Sequence, residues 1–230
     1  MLKLEALKFL YLDADGDQNY CFDLAATPGE IVGLTGRSGS GKSTCLDLIA
    51  GFLPPLSGQV SFDDEDFTAR APGQRPVTIL FQNNNLFEHL SVRDNVALGV
   101  NTSLRLTPAE QGQVTAALSN VGLDGMATRQ AASLSGGEQQ RVALARSLVA
   151  NKPVLLLDEP FSALDLETRE EMLALVRRIV TERRLACLMV THDVRDCDRV
   201  ADRRYLMLAD NGDRRLQEML PEEMAKEGGS

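Results

Sequence analysis

The feature that most constrains this chain is a glycine-rich segment near its N-terminus. The segment, Gly36-Arg-Ser-Gly-Ser-Gly-Lys-Ser43, follows the apolar run at residues 31–34 and precedes a helical pattern of apolar residues that stops at Gly51. Glycines let a backbone bend until consecutive N–H groups face one anion, and the first turn of a helix adds partial positive charge. A strand, a loop and a helix in this order predict a phosphate-binding loop.

Each position in the loop has an expected role. Lys42 reaches the β- and γ-phosphates of a bound nucleotide, and the Ser43 hydroxyl is a ligand for Mg²⁺. A Gly- and Ser-rich turn without a ligand is the alternative, but the flanking strand and helix argue against it. The residues expected to contact the nucleotide are Gly36, Arg37, Ser38, Gly39, Ser40, Gly41, Lys42, Ser43 and Thr44.

Two adjacent carboxylates end another apolar run. The loop alone permits a kinase, a GTPase or a motor, but residues 154–157 lead directly into Asp158 and Glu159. Asp158 can hold the shell of the metal ion, and Glu159, one residue on, can face the attacking water. A strand followed by an acidic turn is the alternative for this pair taken alone. Together with the loop, the pair predicts nucleotide hydrolysis.

A third motif, which we call the signature segment, comprises Leu134, Ser135, Gly136, Gly137 and Glu138. A helical run follows it directly, so the segment forms the first turn of a helix. Ser135 and Glu138 have the spacing of a capping box, in which each side chain accepts a hydrogen bond from the backbone of the other. A well-capped helix is therefore the structural alternative. Its position shortly before Asp158 favours a functional role.

Apolar patterns outline a layered α/β fold. Short, continuously apolar runs are typical of parallel strands covered by helices on both faces. They occur at residues 31–34, 77–81, 154–157 and 186–190. Alternation of apolar and polar residues instead predicts antiparallel strands, and turn-rich residues 13–19 separate the first two of them. This alternation occurs at residues 2–12, 21–25 and 59–63.

Helical patterning replaces the strand pattern between residues 83 and 133. Thr107-Pro108-Ala109-Glu110 is a capping box with proline at the first helical position. We expect one domain over residues 1–230, with its core at 1–82 and 134–230 and an inserted helical subdomain at 83–133. Further helices are predicted at residues 136–149, 166–181 and 194–201, and a hairpin turn at Asn211-Gly212.

Composition excludes several classes of protein. The chain has 24 Lys and Arg against 33 Asp and Glu, a net charge of −9, and no basic block to bind a polyanion, so no nucleic-acid partner is expected. No apolar run approaches the roughly 20 residues of a membrane-spanning helix. Charges at Lys3, Glu5 and Lys8 interrupt any signal-peptide core. The four cysteines form no C-x-x-C pair, which favours reduced thiols in the cytosol.

With these motifs in place, the chain resembles the ABC-type ATPases, the nucleotide-binding subunits of ATP-driven transporters, over essentially all of its length. The resemblance extends to Gln82 at a strand end, to Ser162-Ala163-Leu164-Asp165, and to His192 after a strand. Tyr11 lies where the family places an aromatic residue on adenine, with Phe9 as a competitor. The resemblance implies an α/β fold with a RecA-like P-loop NTPase core, an antiparallel β layer and an inserted helical subdomain.

The resemblance also implies a working cycle. Two copies of the chain pack head to tail around two ATP molecules, each bound by the phosphate loop of one chain and by Ser135, Gly136 and Gly137 of the other. A helix N-terminus with two glycines can bring bare N–H groups against a γ-phosphate, so the dimer closes only while that phosphate is present. Hydrolysis reopens it.

Family roles map onto individual residues of this chain. Glu159 polarises the water, His192 contacts the γ-phosphate, and Gln82 links Mg²⁺ and the water to the helical subdomain. The implied catalytic residues are Glu159, His192, Gln82 and Lys42, the metal-binding residues are Ser43, Gln82 and Asp158, and the dimer-interface residues are Ser162, Ala163, Leu164 and Asp165. Glu138 departs from the Gln found in many members, and either residue satisfies the capping box.

Residues 75–99 and 104–107 resemble those of bacterial importers, and specifically of thiamine importers. About 18 residues follow Gly212, too few for the regulatory C-terminal domain of maltose-type ATPases. The implied partners are membrane permease subunits and, indirectly, a periplasmic solute-binding protein, with the chain peripheral on the cytoplasmic face of the inner membrane. An apolar groove around Phe87 and Leu90 would receive a permease helix. Importers of iron, sulfate or polyamines, and a soluble ATPase of an assembly machine, remain alternatives.

Overall fold

A ten-stranded mixed sheet runs through the part of the chain that the computed structural model describes, residues 1–12, 17–83, 85–210 and 212–219. Its spatial order is β5-β4-β1-β2-β10-β9-β3-β8-β7-β6. In chain order the strands are β1 (Leu2–Tyr11), β2 (Gln18–Ala26), β3 (Ile31–Thr35), β4 (Ser57–Phe62), β5 (Glu65–Asp66), β6 (Val77–Leu80), β7 (Val154–Asp158), β8 (Ala186–Val190), β9 (Arg203–Asp210) and β10 (Asp213–Met219).

The parallel half of the sheet consists of β9, β3, β8, β7 and β6, in that order. The four continuously apolar runs predicted as central strands are confirmed as β3, β6, β7 and β8. Every residue of β3 and β8 is buried, as expected for strands with helices on both faces. The carboxyl ends of these strands meet at one edge, and the loops that follow β3, β7 and β8 carry the phosphate loop, Glu159 and His192.

The antiparallel layer is confirmed, but it is not a separate sheet. Strands β5, β4, β1 and β2 pair antiparallel, and β10 joins this layer to the rest. It pairs with β2 in parallel and with β9 antiparallel. Gly212 precedes β10 with a φ of +90°, as the predicted hairpin requires, whereas Asn211 lies outside the described residues. The predicted turn at residues 13–19 is described only from residue 17.

The α-helices of the described chain follow the predictions closely. They are α1 (Lys42–Ala50), α2 (Val92–Ala97), α3 (Pro108–Asn120), α4 (Gly136–Val149), α5 (Leu166–Arg183) and α6 (Val194–Val200). Helix α5 is two residues longer than predicted: it continues to Arg183, and the left-handed backbone of Arg184 ends it. The capping box at Thr107 is confirmed, with both hydrogen bonds to Glu110 present. No helix of the described residues is long and apolar enough to span a membrane.

Apolar cores lie on both faces of the sheet. Alternate residues of β7 face different cores: Leu155 and Leu157 belong to one, and Val154 and Leu156 to the other. The first core also contains buried residues of α2, α3 and α4, so the helical segment after β6 shares its core with the sheet. The second contains the buried face of α1 and of the antiparallel strands. This packing fixes both ends of the phosphate loop.

Candidate nucleotide site

The phosphate loop links the carboxyl end of β3 to the N-terminus of α1, as predicted. Gly41 immediately precedes α1 with a φ of +105°. A side chain on Gly41 would also place its Cβ only 2.3 Å from Cε1 of Tyr20. Both the backbone conformation and the close ring therefore require glycine here. The turn leaves the first N–H groups of α1 facing the loop, which is the geometry that binds phosphate.

Lys42 extends back across the loop. Its Nζ donates to the carbonyl oxygens of Gly36 at 2.8 Å and of Arg37 at 3.0 Å, and the residue is buried. Burial lowers the pKa of Lys42, while the nearby carboxylates of Glu159 and Asp158 act in the opposite direction. The chain thus holds a cation between its phosphate loop and the two acidic residues that follow β7.

Ser43 and Asp158 come together as the sequence predicts. The Ser43 hydroxyl donates to Oδ1 of Asp158 at 3.3 Å, although 115 positions separate the two residues. Burial raises the pKa of Asp158, and the hydrogen bond from Ser43 lowers it. The pair provides one hydroxyl and one carboxylate oxygen at the first turn of α1.

Glu159 lies directly after β7 in a strained conformation. Its φ is +44°, in a region that non-glycine residues rarely occupy. Its N–H donates to the carbonyl of Val190 at 2.9 Å, and its Oε2 lies 3.0 Å from Nδ1 of His192. The turn therefore brings the carboxylate to the histidine that follows β8.

A cavity of about 310 Å³ collects most of these groups. It is lined by Tyr20, Ser38, Gly39, Gly41, Lys42, Ser43, Thr44, Gln82 and Glu159. Loop residues, Gln82 and Glu159 from three separate strand ends thus face one space. Of the remaining loop residues, Arg37 is exposed, and Ser40 is buried with its hydroxyl unpaired in the described structure.

Tyr20, rather than the predicted Tyr11, is the tyrosine that lines this cavity. Tyr11 is 38% exposed near the end of β1 and meets Phe9 and Tyr20 edge-on, with ring centroids 4.7 and 5.7 Å apart. Tyr20 is buried and lies beneath Gly41. The alternation of β2, in which Tyr20, Phe22 and Leu24 share the buried face, was the available signal. The adenine contact of Tyr11 stays a prediction.

The signature segment begins α4 with the predicted capping box. The Ser135 hydroxyl accepts from the N–H of Glu138 at 3.3 Å, and Oε2 of Glu138 accepts from the N–H of Ser135 at 2.8 Å. Leu134 is buried beneath the turn, while Ser135 and Gly136 are exposed. The side chain of Glu138 is therefore directed back along the helix end, and the glycine backbone is left accessible.

Residues 162–165, which we call the interface segment, lie against the signature segment of the same chain. A Cβ on Gly136 would lie 3.8 Å from Leu164, and one on Gly137 only 2.7 Å from Cγ2 of Thr168. Asp165 begins α5 by accepting hydrogen bonds from the N–H and the hydroxyl of Thr168, at 3.0 and 2.8 Å. The two segments form one surface. None of residues 134–138 or 162–165 is among the described residues that line the cavity at the phosphate loop.

Comparison with known proteins gives matches over most of the chain. The family model of the ABC transporter matches residues 21–162. The thiamine import ATP-binding protein ThiQ of Yersinia pseudotuberculosis is 49% identical over 208 residues, which are 90% of this chain and 86% of that protein. ThiQ of Escherichia coli is 48% identical over 203 residues, 88% of this chain and 86% of that protein.

Solved structures show the same fold. The dimeric structure of MJ0796, a bacterial ABC transporter cassette, aligns with a TM-score of 0.78 and 29% identity, covering 96% of this chain and 99% of that one. A dimeric post-hydrolysis state of the same cassette, bound to ADP and Pi, aligns equally well. An inward-facing metal-chelate type transporter aligns at a TM-score of 0.77 and 27% identity, over 94% of this chain and 82% of that one.

Proposed function

Because this chain belongs to the ABC transporter family, we propose that it is the ATP-hydrolysing motor subunit of a bacterial thiamine importer. One observation carries the hydrolytic part: Glu159, Lys42 and Ser43 line one cavity at the end of the parallel sheet. Identity of 48–49% to thiamine import proteins over about nine-tenths of the chain supports the solute. Other importer ATPases share the cavity chemistry, so the solute rests on this similarity.

The residues near Ser43 fit a magnesium ion bound together with ATP. Mg²⁺ takes an octahedral set of oxygen ligands, commonly one or two carboxylates with waters and substrate phosphates. The Ser43 hydroxyl and the Asp158 carboxylate, 3.3 Å apart, supply two such oxygens. Among the described residues there is no group of three or more His, Cys, Asp or Glu side chains placed to hold a metal ion by themselves. When bound, the ion would neutralise phosphate charge.

Four side chains of this chain have separate roles in binding and hydrolysing ATP. Lys42 binds the β- and γ-phosphates, and the N–H groups at the start of α1 surround them. Glu159 orients and polarises the attacking water, acting as its base. His192, 3.0 Å from Glu159, holds the carboxylate and contacts the γ-phosphate. Gln82 faces the same cavity from the loop after β6. There it would help to hold the ion and orient the water, and it would link them to residues 83–133.

A second copy of the chain completes the site. Gly136 is exposed at the N-terminus of α4, where bare N–H groups can bind the γ-phosphate held by the partner. Ser135 and Gly137 flank it, and the interface segment lies beside it. The dimeric structure of the similar cassette MJ0796 supports the pairing of two copies of this chain. ATP then closes the dimer, and hydrolysis opens it.

Permease subunits are the expected membrane partners. Phe87, in the segment between β6 and α2, is 49% exposed, and Leu90 beside it is half-buried. Their apolar surface can bind a short permease helix, holding this chain at the cytoplasmic face of the inner membrane. A periplasmic solute-binding protein then acts indirectly, through the permease. A soluble ATPase that drives an assembly machine would not need this surface.

Substitution of the base tests the motor mechanism directly. Glu159→Gln keeps the shape of the side chain but loses its basicity, so ATP should still bind while hydrolysis nearly stops. Light scattering with saturating ATP and no Mg²⁺ should then show a dimer. Lys42→Ala is the matched control, which should lose ATP binding and remain monomeric. A Glu159→Gln protein that binds ATP but stays monomeric would contradict the dimer model.

Reconstitution tests the solute. The purified chain, permease and solute-binding protein are assembled in vesicles. ATP hydrolysis should become faster when thiamine is added on the side of the membrane that carries the solute-binding protein, opposite this chain. Ferric iron, sulfate and putrescine serve as control solutes. Stimulation by one of these instead of thiamine would reassign the importer while leaving the motor mechanism intact.

A further inference from the structure

Arg169, in the first turns of α5, contacts two different loops of the site. Its Nε donates to the carbonyl of Phe161 at 3.2 Å and its Nη2 to that of Ser162 at 3.3 Å. Its Nη1 donates to Oδ2 of Asp193 at 2.9 Å. The side chains of Arg169 and Asp193 are each only 14% exposed. One guanidinium therefore joins the loop after β7 to the loop after β8.

Each loop carries one member of the Glu159–His192 pair, of which Glu159 lines the cavity. Ser162 donates through its N–H and its hydroxyl to the carbonyl of Glu159, at 3.4 and 3.2 Å. On the other loop, Asp193 directly follows His192, and its own N–H donates to the hydroxyl of Thr191 at 3.0 Å. The contacts of Arg169 thus reach the immediate neighbours of both members of the Glu159–His192 pair.

We propose that Arg169 is a positioning residue, which sets the separation and angle between Glu159 and His192 by clamping their two loops together. This inference rests on the proposed function, since it assumes that the pair acts on ATP. A guanidinium presents its donors in a rigid planar fork, which lysine cannot reproduce. Small displacements of reacting groups reduce rates steeply, by up to about 100-fold for 1 Å. Loosening the clamp should therefore reduce kcat.

A purely structural ion pair is the competing explanation. Other charges lie beside the Arg169–Asp193 pair: the exposed Arg195 donates to Asp193 at 2.8 Å, and Asp196 lies 3.8 Å from Arg169. Because Arg195 remains, removal of Arg169 does not leave Asp193 without a cation. Folding and catalysis can therefore be separated by substitution at Arg169.

The experiment compares Arg169→Met and Arg169→Lys in the full chain. For each, ATP affinity, KM, kcat and the thermal unfolding midpoint are measured. Arg199→Gln is the matched control, because Arg199 forms an exposed ion pair with Glu170 at 2.6 Å and touches neither loop carbonyl. Arg169→Met is also made in the Glu159→Gln background, where the base is already absent.

A positioning role predicts a kcat loss of about 10- to 100-fold in Arg169→Met, with KM and ATP affinity within about twofold of the unmodified chain. Arg169→Lys should restore the unfolding midpoint but not kcat, and Arg169→Met should add no further loss in the Glu159→Gln background. Full rescue of kcat by lysine, or a kcat loss that follows the unfolded fraction, would overturn the inference. Absence of hydrolysis by the unmodified chain would instead overturn the proposed function, and this inference with it.

Discussion

Gly137 lies so close to Thr168 that a methyl group on its α-carbon would come within 2.7 Å of the threonine Cγ2. Thr168 cannot turn away freely, because Asp165 accepts hydrogen bonds from both its N–H and its hydroxyl. A methyl group on Gly136, one position earlier, would meet only Leu164 among the described residues, at the ordinary distance of 3.8 Å. Glycine is therefore required at position 137 by contacts within the chain, whereas at position 136 we expect it to be required only by the approach of the partner copy in the proposed dimer.

Gly137→Ala should destabilise the isolated chain. Alanine favours a helix over glycine by about 1 kcal/mol, but the contact with Thr168 is of the kind that costs about 1–3 kcal/mol in a packed site. Gly136→Ala gains the same helix preference without the close contact, so it should leave the thermal unfolding midpoint unchanged or slightly raised while weakening the ATP-dependent dimer. Adding Thr168→Ser to Gly137→Ala removes Cγ2, keeps the hydroxyl and should recover stability. Equal unfolding midpoints for the two alanine variants would contradict this assignment.

Substitutions of Glu138 can show whether its side chain acts by capping α4 or by repelling the partner's phosphate. Its carboxylate accepts from the N–H of Ser135 at 2.8 Å, so Glu138→Gln should be nearly neutral, whereas Glu138→Ala should lose about 0.5–2 kcal/mol of stability. If the negative charge instead repels the partner's γ-phosphate, both variants should tighten the dimer. Thermal unfolding and ATP-dependent dimerisation in the Glu159→Gln background measure the two effects. A tighter dimer in both, without a stability loss for alanine, would exclude capping.

Arg75 should be among the most sensitive positions outside the site. It is 3% exposed, and its guanidinium donates to the carbonyls of Leu48 and Ile49, at 2.7 and 2.9 Å, and to those of Thr68 and Arg70. Arg75→Met leaves these buried acceptors unpaired, and we expect a loss of about 2–5 kcal/mol in the free energy of unfolding. Denaturant titration measures it.

The matched control for Arg75 is Arg70→Met. Arg70 forms an exposed ion pair with Glu65, and such pairs contribute at most about 1 kcal/mol. Its carbonyl, which accepts from Arg75, is unchanged by the substitution. An equally small loss of stability in the two variants would mean that the carbonyl acceptors form hydrogen bonds with water when Arg75 is removed.

Asp193 should make the folded state sensitive to acid. Hydrogen bonds from Arg195 lower the pKa of Asp193 to about 2, against about 3.9 for an unfolded chain. The unfolded chain therefore binds the proton more readily, and the stability that Asp193 contributes is complete above its unfolded pKa and is lost as the pH falls toward 2. Burial raises the pKa of Asp196, which has the opposite dependence.

A comparison with Asp193→Asn isolates this contribution. We expect the unmodified chain to unfold about 2–4 °C above the variant at pH 6, which corresponds to about 1 kcal/mol for a chain of this size. The difference should shrink as the pH is lowered from 5 to 3. The contribution of Asp196 is present in both proteins and largely cancels. A difference independent of pH would show that Asp193 acts through shape alone.

Phe87 and Leu90 should matter for transport more than for hydrolysis. Phe87→Asp with Leu90→Asp places two charges on the surface expected to bind the permease, so transport in reconstituted vesicles should fall at least tenfold. Basal hydrolysis by the isolated chain should change little, because neither residue lines the cavity at the phosphate loop among the described residues. Equal loss of both activities would indicate that the two side chains are core residues.

Local signals in the sequence predicted the parallel strands and the loops that follow them. A short apolar run such as residues 186–190 predicts a buried strand with helices on both faces, and few other structures fit it. The conformation of the loop that begins at Gly36 depends mainly on residues close to it in sequence. The link through β10 was not predictable in this way, because it depends on pairing between strands about 190 positions apart. Arg169 was missed because an arginine in a helix carries no local sign of contacts with two other loops.

Helices α1 and α4 differ in which charged side chains lie beside the partial charges at their ends. All residues of α1 are described, and its first turn has no acidic side chain, whereas Glu138 supplies one to α4. Arg75 neutralises the carbonyl end of α1, so the partial positive charge at the other end has no counterpart within the helix. In the function proposed above, the phosphates of ATP supply that negative charge. Binding of ATP should therefore stabilise the folded chain. Every tenfold rise in ATP concentration above the dissociation constant should add about 1.4 kcal/mol to the free energy of unfolding.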